Sequence, residues 1–154
     1  MARPIKQTVD YFSHDCNASE RKTLFILQSK FNNDGYAFWF KLLELLGSSP
    51  GHSYYCGNPT NWEFLLAKTH VSDGLCKQIL DTLANLDAID SDLYLNHQII
   101  WCQNFVDRLD DVYSRRDKKP VKPVIVNINP IPPVVNANNN LVNADINTQT
   151  KLKE

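Results

Sequence analysis

Apolar residues recur at helical spacing twice between Pro59 and Leu86, with a tight turn between the two runs. Trp62, Leu65, Leu66 and Thr69 mark the first run, and Leu75, Ile79, Leu80, Leu83 and Leu86 form one stripe in the second. Asn58 is placed to cap the first helix, with Pro59 at N1, where a missing N–H costs nothing. Val71 and Ser72 make the turn, and Ser72 suits the N-cap of the second helix. Ala88-Ile89-Asp90 and Ile99-Ile100-Trp101-Cys102 are compact β-prone runs expected to pair with each other. Two helices joined by a short turn and followed by a small hairpin predict a winged helix-turn-helix, mainly α with a small β wing. That architecture most often grips nucleic acid and is also reused for protein docking.

Upstream, Asn17 with Glu20 three residues on reads as a capping box, and Leu24, Phe25, Leu27 and Phe31 continue that helix. Asn33-Asp34-Gly35 reads as a turn. The helix expected from Tyr36 to about Gly47 is apolar almost all round, the pattern of an element central to a core, and its aromatics include Trp39 and Phe40. Ser53-Tyr54-Tyr55-Cys56 is a candidate strand, and Asn104 to about Arg116 reads as one more helix. The pattern stops near Lys119. The segment beyond is rich in Asn, Pro and Val, with Pro130, Pro132 and Pro133 and the run Asn138-Asn139-Asn140, and cannot bury enough surface to offset its ordering entropy. The expected organisation is a winged-helix domain over residues 2–118 and a disordered Asn/Pro-rich tail over 119–154.

Bulk properties narrow the class. No apolar run approaches the roughly 20 residues of a membrane span. Nor does Met1-Ala2-Arg3-Pro4-Ile5-Lys6 open a signal peptide, so a cytoplasmic protein without membrane contact is expected. Cys16, Cys56, Cys76 and Cys102 form no C-x-x-C pair and read as reduced thiols, with Cys76 and Cys102 buried. The net charge of −1 hides an asymmetry: residues 1–114 hold nine Lys/Arg against fourteen Asp/Glu, whereas 115–154 hold seven against three. A basic segment on an acidic body points to a polyanionic partner or to a solvated tail.

Candidate chemistry is sparse. His14, Cys16, His52 and Cys56 lack the spacing of a common zinc site and read more simply as surface histidines and half-buried thiols. There is no phosphate loop, no G-x-S-x-G and no H-E-x-x-H, so neither catalysis nor a cofactor is expected. The candidate recognition helix, about Asp73 to Leu86, offers Lys77, Gln78, Thr82 and Asn85, of which Lys77 and Gln78 suit base edges or phosphates. Asp73 and Asp81 on the same helix would repel a phosphate backbone. The run Arg115, Arg116, Lys118, Lys119 and Lys122, interrupted only by Asp117, is the stronger candidate for neutralising phosphates, although cations at a helix C-terminus also complement its dipole. Arg3 and Lys6 form a smaller basic group at the other end of the chain. Of Tyr54 and Tyr55, neighbours on a strand, one must point outward and is available for stacking or docking.

Several short motifs carry a resemblance. Arg3-Pro4-Ile5-Lys6, Asp10-Tyr11-Phe12 with Asp15, Gly35-Tyr36 and Leu42-Leu43 resemble the N-terminal domain of phage replisome organisers, a family similar to the DnaD-type winged helix. Ile99-Ile100-Trp101-Cys102 followed by Gln103-Asn104-Phe105 resembles that family's closing strand and helix, so the likeness covers about residues 2–118. It implies a prophage-type replication accessory protein whose DNA-binding winged helix helps nucleate a replisome on duplex or single-stranded DNA. Members often continue into a larger C-terminal region, whereas a short polar tail follows Lys119 here, so functions housed in that region are not implied. The alternative is a protein–protein adaptor or oligomerisation module that binds itself or replication proteins without touching DNA; a transcriptional regulator is a third reading.

Overall fold

The computed structural model describes residues 3–116 and 118–126. The chain divides into one unit ending at Lys122 and a second beginning at Pro123, of which residues 123–126 have no regular secondary structure. Most of the tail expected to be disordered, from Asn127 on, lies outside the described residues.

The first unit is mostly helical. Helix α1 spans Lys22–Ser48, α2 Pro59–Thr69, α3 Asp73–Asn85, α4 Ser91–His97, α5 Gln103–Asp107 and α6 Asp110–Tyr113. Strands β1, Ser53–Tyr55, and β2, Ile99–Trp101, form a two-stranded antiparallel sheet in which Ser53, Tyr54 and Tyr55 face Trp101, Ile100 and Ile99. The outcome is a small winged-helix-like fold, mainly α with a minor β component. At its centre Phe38, Leu42 and Leu46 of α1 meet Leu65 of α2, Ile79, Leu80 and Leu83 of α3, and Ile100 of β2, all fully buried.

The helix-turn-helix forms where its caps predict. The Asn58 side chain accepts a hydrogen bond from the Asn61 N–H at 2.7 Å, with Pro59 at N1 of α2. His70 ends that helix in the left-handed conformation, and the Ser72 hydroxyl accepts from the Leu75 N–H to open α3. Cys76 and Cys102 are buried free thiols, pushed up by burial to about 12 and about 11.

Four local expectations are corrected. First, Asn17 opens only a short 3-10 turn, Ala18–Glu20, with no side-chain cap bond, and α1 starts after Arg21. Second, the chain breaks at Asn32 (φ 53, ψ −142) rather than at Asn33-Asp34-Gly35, and helix resumes immediately, so the two expected helices form one broken α1. Gly35 serves packing instead of a turn, since a Cβ there would stand 2.5 Å from the Leu27 carbonyl oxygen. Third, β2 pairs with β1, not with Ala88-Ile89-Asp90, which is joined to it by the Asp90 N–H donating to the Trp101 carbonyl at 2.8 Å. Asp90 instead caps α4 through the Leu93 N–H, and that helix fills the place of the expected hairpin loop. Fourth, the closing helix splits into α5 and α6 at Arg108 and Leu109, where Leu109 turns into the core.

Candidate nucleic-acid interface

The N-terminal segment runs extended along α1. Val9 donates to the Gly47 carbonyl at 2.8 Å, and the Gln7 carbonyl accepts from Gly51. Arg116 closes the other end of the unit onto it. Its Nη1 donates to the Thr8 carbonyl at 2.7 Å and the Lys6 carbonyl at 3.2 Å, while its guanidinium lies over the Tyr113 ring, 5.0 Å from the centroid. These contacts bring Lys6 beside Arg116, so two basic groups at opposite ends of the sequence share one surface. A carbonyl partner leaves the Arg116 charge uncancelled. Lys6 is bonded to Asp10 at 2.6 Å and, with Arg116 nearby, holds its carboxyl below the usual range.

The rest of the basic run is divided. Arg115 and Lys118 are exposed and have no ion-pair partner among the described residues. Lys119 bonds Asp110 and the Asp107 carbonyl, and Lys122 bonds Asp90, so these two cations engage acids of their own domain although composition assigns them to the tail. Arg3 is exposed. The pairs made by Lys119 and Lys122 each set one half-buried partner against an exposed one, Lys119 against Asp110 and Asp90 against Lys122, and each is worth on the order of 1 kcal/mol or less.

The face of α3 differs from the surface expected of a base reader. Lys77 and Gln78 are exposed, but Lys77 is paired with Asp73 at 2.9 Å and sits 5.7 Å from the Trp62 ring centroid. Asp81 is exposed on the same face, and Thr82 is buried, its hydroxyl donating to the Gln78 carbonyl. Between α2, α3 and α4 lies a groove of about 500 Å³ that carries Glu63, Asp73 and Asp81 against Lys77. Of the two strand tyrosines, Tyr54 donates to the Asn61 carbonyl and is half-buried, while Tyr55 is exposed.

Sequence reasoning missed two constellations. Asp15 bridges Arg108 at 2.7 Å and Arg21 at 3.4 Å beside a cleft walled by Phe12, Trp39 and Phe40. His52 is fully buried and bonded to both Leu46 and Tyr113. Their partners lie up to 93 positions apart in the chain, a separation without any periodic or motif signal. Both His52 ring nitrogens are thereby engaged, and the described residues hold no cluster able to bind a metal ion.

Residues 11–105 match the model of the Lin1244/Lin1753-like N-terminal family. The chain belongs to that family. A phage-related relative, described as the uncharacterized protein Lin1244/Lin1753 of Listeria innocua serovar 6a, is 27% identical over 157 residues. That alignment covers 97% of this chain and 50% of the relative, so the chain spans about half the relative's length. No solved structure matches. The Lin1244/Lin1753-like match includes both strands and the α2–α3 pair but neither Lys6 nor the run from Arg115, so the basic surface lies outside the part of the chain that the family model describes. Among the described residues no helix is long and apolar enough to cross a membrane.

Proposed function

We propose that this chain is a phage-type replication accessory protein that binds DNA and acts by bringing partners together rather than by chemistry. The observation that carries the reading is the joining of the chain's two basic ends by Arg116, which is bonded to the Lys6 and Thr8 carbonyls, while Arg115 and Lys118, close to it in sequence, are exposed and have no ion-pair partner among the described residues. Phosphate neutralisation by such cations is independent of sequence and releases counterions. The phage-related relative supports a phage-associated role, and the choice of replication over transcription rests on the sequence resemblance to replisome organisers.

The test is a titration of duplex and single-stranded DNA at several salt concentrations. Replacing Arg115 and Lys118 together with Ala should weaken binding to all sequences and reduce the log–log salt slope by up to about 2, from roughly 0.9 per phosphate on duplex. Arg116 is left in place because it also holds the N-terminal segment. An unchanged slope in the double variant refutes this surface as the interface. A second reading, the adaptor, is favoured by one observation: α3 presents Asp73 and Asp81 against a single, already paired Lys77. Absence of DNA binding even at about 50 mM salt, where phosphate contacts are strongest, would decide for it.

A further inference from the structure

The groove on α2, α3 and α4 has a chemistry opposite to that of the basic surface. Its floor and walls include the half-buried rings of Trp62 and Tyr94, and its rim includes Leu95, 63% exposed. Three carboxylates, Glu63, Asp73 and Asp81, face one ammonium, that of Lys77. The groove already shows how it receives a cation. Lys77 Nζ lies near the Trp62 ring while Asp73 takes its charge at 2.9 Å and accepts the Trp62 indole N–H at 2.7 Å. Asp81 and Glu63 have no ion-pair partner among the described residues. Among the described residues, the hydrogen bonds and ion pairs of the Arg115–Lys122 run go to Lys6, Thr8, Asp90, Asp107 and Asp110, none of which lines the groove.

We propose that this groove docks a basic linear segment of a partner protein. An arginine or lysine of the segment lies against the Trp62 and Tyr94 rings with its charge toward Asp81 and Glu63, and an apolar neighbour covers Leu95. Charge complementarity selects this occupant. A phosphate backbone would meet an excess of carboxylates, and an acidic peptide would meet the same repulsion. The face usually turned toward DNA in a helix-turn-helix is here a protein-docking face. The inference does not depend on the DNA reading, because none of its residues belongs to the basic surface.

The probe is an end-blocked octapeptide of alternating arginine and leucine, titrated at about 50 mM salt into the whole chain while tryptophan emission is followed. Saturable binding is expected, with an emission change that disappears in Trp62→Phe, since Trp39 and Trp101 lie outside the groove. Glu63→Gln combined with Asp81→Asn should weaken binding roughly five- to tenfold, the factor carried by two partly screened ion pairs. Glu20→Gln combined with Asp34→Asn, exposed carboxylates elsewhere, should leave it unchanged. No binding, or equal weakening in the two double variants, overturns the proposal by showing no recognition or only bulk attraction. DNA binding abolished by Lys77→Ala but not by the Arg115 and Lys118 double substitution also overturns it, because the groove face would then be the nucleic-acid surface.

Discussion

At the scale of single residues, His52 shows how one side chain joins distant parts of the chain. Gly51 (φ 68) and His52 (φ 55) take left-handed backbone, which turns the imidazole inward. A carbonyl oxygen can only accept, so Nδ1 donates to Leu46 at 3.0 Å, and Nε2 of the neutral ring accepts the Tyr113 hydroxyl at 2.5 Å. Burial disfavours the charged ring and lowers its pKa, outweighing the Leu46 carbonyl, which favours it; the Arg116 charge lowers it further. The unfolded histidine therefore binds a proton before the folded one. Stability should be indifferent to His52 above about pH 7 and fall as pH drops through about 6.5 toward the depressed folded value. Melting temperatures between pH 8 and 5.5 check this: the decline should be shallower in His52→Asn, an exchange that tolerates the left-handed backbone. Tyr113→Phe leaves the buried Nε2 without its donor and should cost about 1–3 kcal/mol by chemical denaturation.

Elements are decided by packing as much as by pattern. From Tyr36 to Gly47 the apolar positions nearly encircle α1, and from that pattern Trp39 looks as central as its neighbours. The backbone places Phe38, Leu42 and Leu46 at zero exposure and leaves Trp39 half-buried on the wall of the cleft beside Asp15. Phe38→Ala should therefore cost about 3–5 kcal/mol through lost burial and a residual cavity, and Trp39→Ala distinctly less. Equal shifts of the urea midpoint in the two variants would contradict this assignment of the core face. The break at Asn32 belongs to the same scale. Its positive φ with ψ −142 is a region that a Cβ resists, and the segments on either side hold it because Gly35 packs against the Leu27 carbonyl.

Across the whole molecule, Arg116 is the tie between the chain's two ends. Arg116→Ala removes both carbonyl contacts and the stacking on Tyr113, so the segment before Val9 should detach while the core stays folded. Limited trypsin digestion should then cut after Lys6 faster than in the parent chain, with little change in melting temperature. An unaltered cutting rate would mean that Val9 and Gln7, through Gly47 and Gly51, hold the segment without help. The molecule also separates its charges, with cations near the joined ends and uncompensated carboxylates in the α2–α3–α4 groove. That separation suits the two proposed surfaces to partners of opposite charge.

The features legible in residue order alone are local. Asn58, Pro59 and Ser72 fixed the starts of α2 and α3, because a cap acts on N–H groups two or three residues away and needs no tertiary context. The stripe of Leu75, Ile79, Leu80 and Leu83 likewise fixed which face of α3 turns inward. The charge asymmetry was legible by counting. Strand partners were not. Ile99–Trp101 could pair with either of two short runs, and the choice of Ser53–Tyr55 depends on the tertiary packing that brings β1, which follows α1, beside β2. The fate of the basic run was hidden for the same reason. Whether a cation faces solvent, a carbonyl or a carboxylate depends on which distant residue folds beside it. Only the tertiary structure sets Arg116 on Lys6 and Thr8, sets Lys122 on Asp90, and leaves Arg115 and Lys118 on the surface.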